Sequence, residues 1–304
     1  MTAPYRGRFA PSPTGPLHFG SLIAAMASYC DARAHGGEWL VRIEDLDEPR
    51  SRHGSGARIL AQLEAYGFEW DGPVVWQTER RPSYQAALDE LVDKGLAFPC
   101  ACTRKELETA PLGTGGERVY PGTCRRGIAP GRSPRAWRAA VGAETIGFRD
   151  RVQGSIEQRL ASDVGDFIVK RADGIFAYQL AVVVDDALQG ITDVVRGSDL
   201  LASTPRQIWL QQRLSLPTPT YLHHPVAIDA RGEKLSKQTD APPLPDEALP
   251  TLMRAWRFLD QPAPPASPTS VEAFWQWACR HWNARVLPPV AMLPAPGPSV
   301  GAAV

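Results

Sequence analysis

Apolar residues along this chain switch between two spacings. Residues 5–10 form a short apolar run that reads as a buried strand. A polar, Pro-rich stretch follows. Leu22, Ile23, Met26, Tyr29 and Cys30 then fall on one helical face, predicting a helix over 21–35 that stops at Gly36-Gly37. The run Glu38-Trp39-Leu40-Val41-Arg42-Ile43 is a second strand, and Glu44-Asp45-Leu46-Asp47 comes directly after its last apolar residue. Two more helices are predicted, over 55–66 with Ile59, Leu60, Leu63 and Tyr66 inward, and over 82–94 with Leu88, Leu91 and Val92 inward. Gly67 and Gly95 end them. Strands alternating with helices predict an α/β fold with a parallel sheet.

The periodicity fails between 97 and 160, which reads as an inserted subdomain holding Cys100-Ala-Cys102, a Gly-rich loop at 113–116 and Tyr120-Pro-Gly-Thr-Cys124. Over 104–138 eight Lys/Arg stand against three Glu, a local excess of +5. The α/β pattern then resumes with a strand at 167–170, an apolar helical segment at 177–186 and a strand at 191–196. A helix over 203–214 is opened by Ser203-Thr204-Pro205, good N-cap and first-turn chemistry. From 241 onward the composition shifts, with 13 prolines in 64 residues. Helical patches cover 246–258 and 271–282, the latter with Phe274, Trp275, Trp277 and Trp282, and the tail from Pro288 reads as disordered. The expected organisation is a first catalytic half at 1–96, an insertion at 97–160, a second half at 161–242 and a Pro-rich extension at 243–304.

The 304 residues suffice for one large domain or two moderate ones, and 43% hydrophobic with 22% charged residues is a globular balance. Net charge is zero, so binding a polyanion would need local patches such as 104–138. No apolar run reaches the ~20 residues that span a bilayer, and the N-terminal residues lack a secretory core. Five cysteines, odd in number and unevenly spread, argue against a disulfide framework and for a reduced compartment, by default the cytoplasm.

Three groups of residues carry candidate chemistry. The first is Arg8-Phe-Ala-Pro-Ser12-Pro-Thr-Gly-Pro-Leu-His18-Phe-Gly20-Ser21, which joins the first strand to the first helix. Free N–H groups and the helix dipole favour an anion there, although the glycine spacing is neither that of a P-loop nor that of a dinucleotide fingerprint. A Pro-rich surface loop with a stray histidine is the plain alternative. The second is Lys234-Leu-Ser-Lys237-Gln238 after Arg231-Gly232-Glu233, where two lysines on a glycine-hinged loop can face one anion. A solvated charge run is the alternative. The third is Cys100, Cys102 and Cys124, three thiols suited to a tetrahedral Zn²⁺ or simply buried and reduced.

Together these stretches resemble class I aminoacyl-tRNA synthetases. Arg8 through Ser21 is similar to their "HIGH" region, and 234–238 to their "KMSKS" loop, with Leu235 for Met and Gln238 for the final Ser. Arg42-Ile-Glu-Asp-Leu-Asp47, Tyr120-Pro-Gly-Thr-Cys-Arg125 and Val183-Val-Asp-Asp186 with Val195-Arg-Gly197 narrow the likeness to glutamyl-tRNA synthetases over about residues 5–240. Too few residues follow the second motif for a helical anticodon-binding region. The chain therefore most resembles the glutamyl-Q tRNA(Asp) synthetase family. That implies a Rossmann-like parallel sheet with an inserted zinc-bearing subdomain and no anticodon-binding domain.

The resemblance also implies an activity and a set of residues. L-glutamate would be activated with ATP and Mg²⁺, without tRNA, and the glutamyl group passed to queuosine in the anticodon of tRNA(Asp). His18, Lys234 and Lys237 would be catalytic, and Gly20, Ser21 and Asp199 would join them at ATP. Arg8, Ser12, Glu44, Tyr178 and Arg196 would hold glutamate, and Tyr120 would complete a Zn²⁺ site with the three cysteines, or leave the fourth place to water. Gln179 stands where family members often have Asn. Two alternatives stay open: Arg196 as a structural partner of Asp185, Asp186 or Asp193, and Asp199 as an exposed N-cap. A monomer without membrane contact is expected. The competing functions are an adenylate-forming ligase with another acceptor and a non-catalytic RNA-binding paralogue.

Overall fold

A computed structural model describes residues 4–52, 54–113, 116–235 and 241–296. The chain opens with β1 (Arg6–Phe9), α1 (Phe19–Ala34), β2 (Glu38–Ile43), α2 (Ser55–Ala65), β3 (Val75–Trp76), α3 (Arg81–Asp93) and β4 (Ala97–Cys100). It continues with β5 (Ala136–Ala139), β6 (Thr145–Asp150), β7 (Gly154–Arg159), α4 (Leu160–Asp163), β8 (Ile168–Lys170) and α5 (Tyr178–Leu188). The last elements are β9 (Asp193–Gly197), α6 (Thr204–Arg213), β10 (Thr220–His224), β11 (Val226–Ile228), α7 (Ala248–Phe258), α8 (Val271–His281) and β12 (Met292–Pro294).

Strands β1, β2 and β3 form one parallel ladder, and β9, β10 and β6 another, with β7 added antiparallel at its edge. The two meet side by side where Thr192 N–H donates to Arg6 O at 3.0 Å. From β1 the order runs outward to β2 and β3 on one side, and to β9, β10, β6 and β7 on the other. Strand order thus reverses between β1 and β9. In an open parallel sheet that reversal leaves a crevice at the carboxyl ends of the strands. Arg8, Arg196 and Glu44 lie at or just past those ends.

Helix α1 is buried nearly all round, because the sheet covers one side and α7 and α8 cover the other. Tyr29 of α1 meets the rings of Trp39, Phe68 and Trp275 at 5.1, 5.4 and 5.0 Å. Gly67, at φ +73, lets the end of α2 reach α8: a Cβ there would stand 2.5 Å from Val271. A second core joins α3, α5 and α6.

Three regions depart from the sequence reading. The hairpin of β6 and β7, expected inside the insertion, extends the main sheet. Strand β8, expected in the resumed parallel pattern, pairs antiparallel with β5, which pairs with β4 to make the small sheet of the insertion. Apolar runs this short do not reveal their partners. Third, the tail after Pro288 is ordered through residue 296: β12 pairs with β11, and Ser198 donates to Ala291 O. Its backbone finds a free strand edge, which composition does not register. A smaller departure concerns Ser203. A 3-10 turn runs straight into α6, so its side chain does not cap the helix and instead accepts from Gln179 Nε2 at 3.0 Å. Among the described residues no helix is long and apolar enough to cross a membrane.

The Pro-rich extension therefore belongs to the core. Trp256 is fully buried, packed edge-on against Phe274 and Trp277. Trp256→Ala is expected to cost about 3–5 kcal/mol of stability, read as a lower denaturant midpoint with an unchanged slope; a midpoint equal to wild type would place α7 outside the cooperative fold.

Candidate active site

A cavity of about 660 Å³ opens at the reversal between β1 and β9. Of the residues that the resemblance assigns to ATP and glutamate, Arg8, Ser12, His18, Gly20, Ser21, Glu44, Tyr178, Arg196, Asp199 and Lys234 all line it. Lys237 lies outside the described residues.

One wall is the start of α1. His18 is its N-cap, and His18 Nδ1 accepts from Ser21 N–H at 3.3 Å. In the neutral ring that bond puts the proton on Nε2. Gly20 allows a close approach, since a Cβ would sit tightly at 3.0 Å from Leu235 O and 3.1 Å from the His18 ring. That close approach joins the two motifs. Leu235 N–H donates to Ala227 O at 2.8 Å on one side of the lysine loop, and Leu244 N–H donates to Leu17 O at 2.9 Å on the other. Leu235 and Leu244, described residues on either side of 236–240, thus lie against Gly20 and Leu17 at the opening of α1. Lys234 Nζ pairs with Asp199, so a phosphate reaching Lys234 would compete with that carboxylate, and a ribose reaching Asp199 would compete with the lysine.

The opposite wall is ionic and buried. Arg8 donates to Asp186 at 3.2 and 3.3 Å, and Arg42 donates to Asp186 at 2.8 Å and to Glu44 at 3.3 Å. Asp185, one residue before Asp186 on α5, accepts from Gln77, Arg80 and Tyr84 at 2.8, 2.6 and 2.7 Å. Burial works against the charged form of Asp186, yet Arg8 and Arg42 outweigh it and hold the carboxyl below its ordinary range. Burial pushes Glu44 up instead, with Arg42 and Arg8 pulling back.

Arg196 is different. It is 5% exposed, and its guanidinium donates to His223 Nε2, Tyr178 OH, Thr204 Oγ1 and Gln207 Oε1 at 3.0, 3.2, 2.9 and 2.7 Å. All four partners are neutral. Among the described residues no carboxylate pairs with it, so the structural ion pair considered for Arg196 is not formed: Asp185 and Asp186 go to Arg8, Arg42 and Arg80, and Asp193 accepts from Thr192. A buried cation without a counter-ion is costly, and a substrate carboxylate would relieve that cost. A second cavity of about 300 Å³ shares Ser12, Thr14, Glu44, Arg50 and Tyr178 with the first and continues toward Asp47 and Arg171.

In the insertion, the sulfurs of Cys100, Cys102 and Cys124 lie within 4.8 Å of one another. Tyr120 OH is 3.4 Å from Cys100 Sγ and 3.5 Å from Cys102 Sγ, and Cys102 Sγ is 3.6 Å from Cys124 Sγ. Four ligands tetrahedral about an ion at zinc–sulfur distance would be about 3.8 Å apart, so the cluster has the dimensions for one. Ala101 N–H donates to Cys124 Sγ and, against burial, helps hold that thiol down to about 7. Among the described residues the buried core here is small: Phe98, Cys100, Ala101, Tyr120 and Cys124, with Cys102, Leu107, Ile128 and Ala140 packed partly buried against it.

Sequence reading gave no role to Asp150, His223 or Gln207, took Thr204 only as part of a helix start, and counted Arg138 only in the basic stretch of the insertion. Arg138 stacks 4.0 Å from the Tyr120 ring and donates to Cys100 Sγ at 3.4 Å. Asp185 and Asp186 carried a usable signal, two acids in an otherwise apolar helix. His223 carried none, since a histidine in a strand looks the same whether or not a buried acid stands behind it.

Comparisons with known proteins show the family. The family described as tRNA synthetases class I (E and Q), catalytic domain, matches residues 5–243. The chain is 56% identical over 300 residues to "Glutamyl-Q tRNA(Asp) synthetase" of Dechloromonas aromatica, covering 97% of this chain and 100% of that protein. It is 52% identical over 297 residues to the protein of that name from Pseudomonas aeruginosa, covering 97% and 99%. A glutamate–tRNA synthetase structure from Elizabethkingia anophelis superposes with a TM-score of 0.78 at 22% identity, covering 95% of this chain and 68% of that one. This last likeness concerns the fold.

The site also predicts a pH dependence. Burial foremost pushes His223 down to about 4, against the pull of Asp150. The unfolded chain, with an ordinary histidine near 6.5, binds more protons between those values, so stability rises with pH. About 3 kcal/mol should be present above pH 6.5 and lost as pH falls toward 4. Denaturant unfolding of wild type and His223→Gln across that window checks this; parallel profiles would show that His223 does not titrate as described.

Proposed function

The chain belongs to the class I tRNA synthetases for glutamate and glutamine and is a ligase of that family, and on that premise we propose that it activates L-glutamate with ATP, without tRNA, and transfers the glutamyl group to queuosine of tRNA(Asp). The observation that carries the amino-acid half is that Arg196, buried without a carboxylate partner among the described residues, lines the same cavity as the Glu44 carboxylate. Glutamate has two carboxylates for Arg196 and the Arg8–Ser12–Tyr178 side, and an ammonium for Glu44. The acceptor rests on the names of the relatives.

The glutamate α-carboxylate attacks the α-phosphorus of ATP in line, and pyrophosphate leaves. The protein's part is to position the reactants and to stabilise charge. His18 and the N–H groups at the start of α1 face the phosphates, and Lys234 and Lys237 offset the charge that builds on pyrophosphate. Mg²⁺ accompanies ATP and screens its phosphates. An acceptor hydroxyl then attacks the acyl carbon of the mixed anhydride, the acyl–phosphate bond breaks, and AMP leaves carrying the hydroxyl proton as the ester forms. The basic stretch of the insertion supplies phosphate contacts whose strength falls with salt. Zn²⁺, held by Cys100, Cys102, Cys124 and Tyr120, is a structural staple for a subdomain with so small a core. A cytoplasmic monomer fits this role.

Lys237→Ala should lose ~10²–10³ of glutamate-dependent pyrophosphate exchange while glutamate still binds; near-normal exchange would remove Lys237 from the reaction. With labelled glutamate, tRNA(Asp) containing queuosine should take an alkali-labile label and the same tRNA with guanosine should not. Equal labelling of both, or labelling of tRNA(Glu), would favour another acceptor on the same fold. Elemental analysis should find one zinc per chain, with Cys124→Ser losing it and Tyr120→Phe, which removes the fourth ligand, binding it more weakly; unchanged zinc in Cys124→Ser would end the assignment.

A further inference from the structure

We propose that Asp150 and His223 form a buried relay that orients Arg196 toward the substrate carboxylate while leaving its charge uncompensated. This rests on Arg196 being a glutamate-binding residue. The two are positioning residues, since neither lines the cavity.

The sheet builds the relay. In the β9–β10 ladder His223 lies opposite Arg196, and Asp150 ends β6 beside β10. His223 is 0% and Asp150 2% exposed. Asp150 Oδ1 accepts from the backbone N–H of Val152, Gln153 and His223 at 2.9, 2.8 and 3.2 Å, which fixes the carboxylate. Its Oδ2 stands 2.6 Å from His223 Nδ1. A carboxylate only accepts, so Nδ1 carries the proton and Nε2 a lone pair. On the far side Nε2 faces Arg196 Nε at 3.0 Å, and a guanidinium only donates. Both charged neighbours therefore demand the same tautomer, and Thr204 Oγ1, 3.2 Å from Nε2, is a hydroxyl that can donate to the same lone pair. Burial keeps the ring neutral at pH 7.

The spacing matters. An acid in direct contact would neutralise Arg196 and take the donors a substrate needs, as Asp186 does to Arg8. An acid one imidazole away sets the plane of the guanidinium through Nε alone. Thr204 and Gln207 take Nη2, and Nη1 is left with Tyr178 OH, which lines the cavity.

Asp150→Asn tests this with almost no change in shape. Its oxygen can keep the backbone bonds while its amide N–H faces Nδ1, forcing the proton to Nε2 and setting two donors against each other. KM for glutamate in pyrophosphate exchange should rise roughly tenfold, with KM for ATP within about twofold. ¹⁵N NMR of histidine-labelled protein should show His223 Nε2 unprotonated in wild type and protonated in the variant. His223→Phe should resemble Asp150→Asn, while His223→Gln, whose oxygen can accept from Arg196, should recover most glutamate affinity. Should His223→Phe not fold, Asp150→Asn and the spectrum carry the test. A wild-type KM for glutamate in Asp150→Asn, a protonated Nε2 in wild type, or equal losses for both substrates would overturn the relay. Arg196→Ala is the separate control: unchanged glutamate binding there would refute the role of Arg196 itself.

Discussion

The active-site wall depends on one constraint, the burial of Asp185 and Asp186 on α5. Two adjacent carboxylates inside a protein repel each other and lose their water, so each must gather cations and hydrogen bonds. Asp186 draws in Arg8 from β1 and Arg42 from β2, and Asp185 draws in Arg80 and Tyr84 from the start of α3. Four elements far apart in sequence are thereby locked at one point. Replacing this network with apolar packing would satisfy burial equally well, but would not aim Arg8 and Glu44 into the cavity. What the ionic arrangement adds is direction.

Arg8 and Arg196 show two uses of the same side chain. Arg8 is neutralised before any ligand arrives and serves as a fixed surface of donors. Arg196 is held by neutral groups and has no carboxylate partner among the described residues. A pocket for an amino acid with two acidic groups has reason to contain both: the first sets geometry, and the second contributes attraction that an uncharged side chain of similar size, such as an amide, would not receive.

Much of this was legible in the sequence. The strands at 38–43 and 193–197 and the helices at 19–34 and 178–188 were legible because each is a dense apolar run of the right length bounded by polar or glycine residues, even though burial then covers α1, α5 and β9 on more than one side. The residues that line the cavity came from motif likeness, since His18 and Lys234, 216 positions apart, share no local signal. What stayed hidden was pairing. The partner of β8, the β6–β7 hairpin on the main sheet and the β11–β12 ladder depend on which edge is free after everything else has packed. Asp150, His223, Thr204 and Gln207 stayed hidden for the same reason: each matters only through what the sheet sets beside it.

Helix α1 ties these levels together. Its first turn carries His18, Gly20 and Ser21 at the cavity. Near its last turn Asp31, fully buried, accepts from Tyr5, from Arg151 at the end of β6, and from Trp282 after α8. Packing in a core this dense is not continuously deformable. A shift of α8 would therefore be felt along α1, and a shift of Arg151 would disturb Asp150 beside it. The Pro-rich segment after the lysine loop thus reaches one wall of the cavity through its packing on α1, and the other through Trp282, which shares Asp31 with Arg151 beside Asp150.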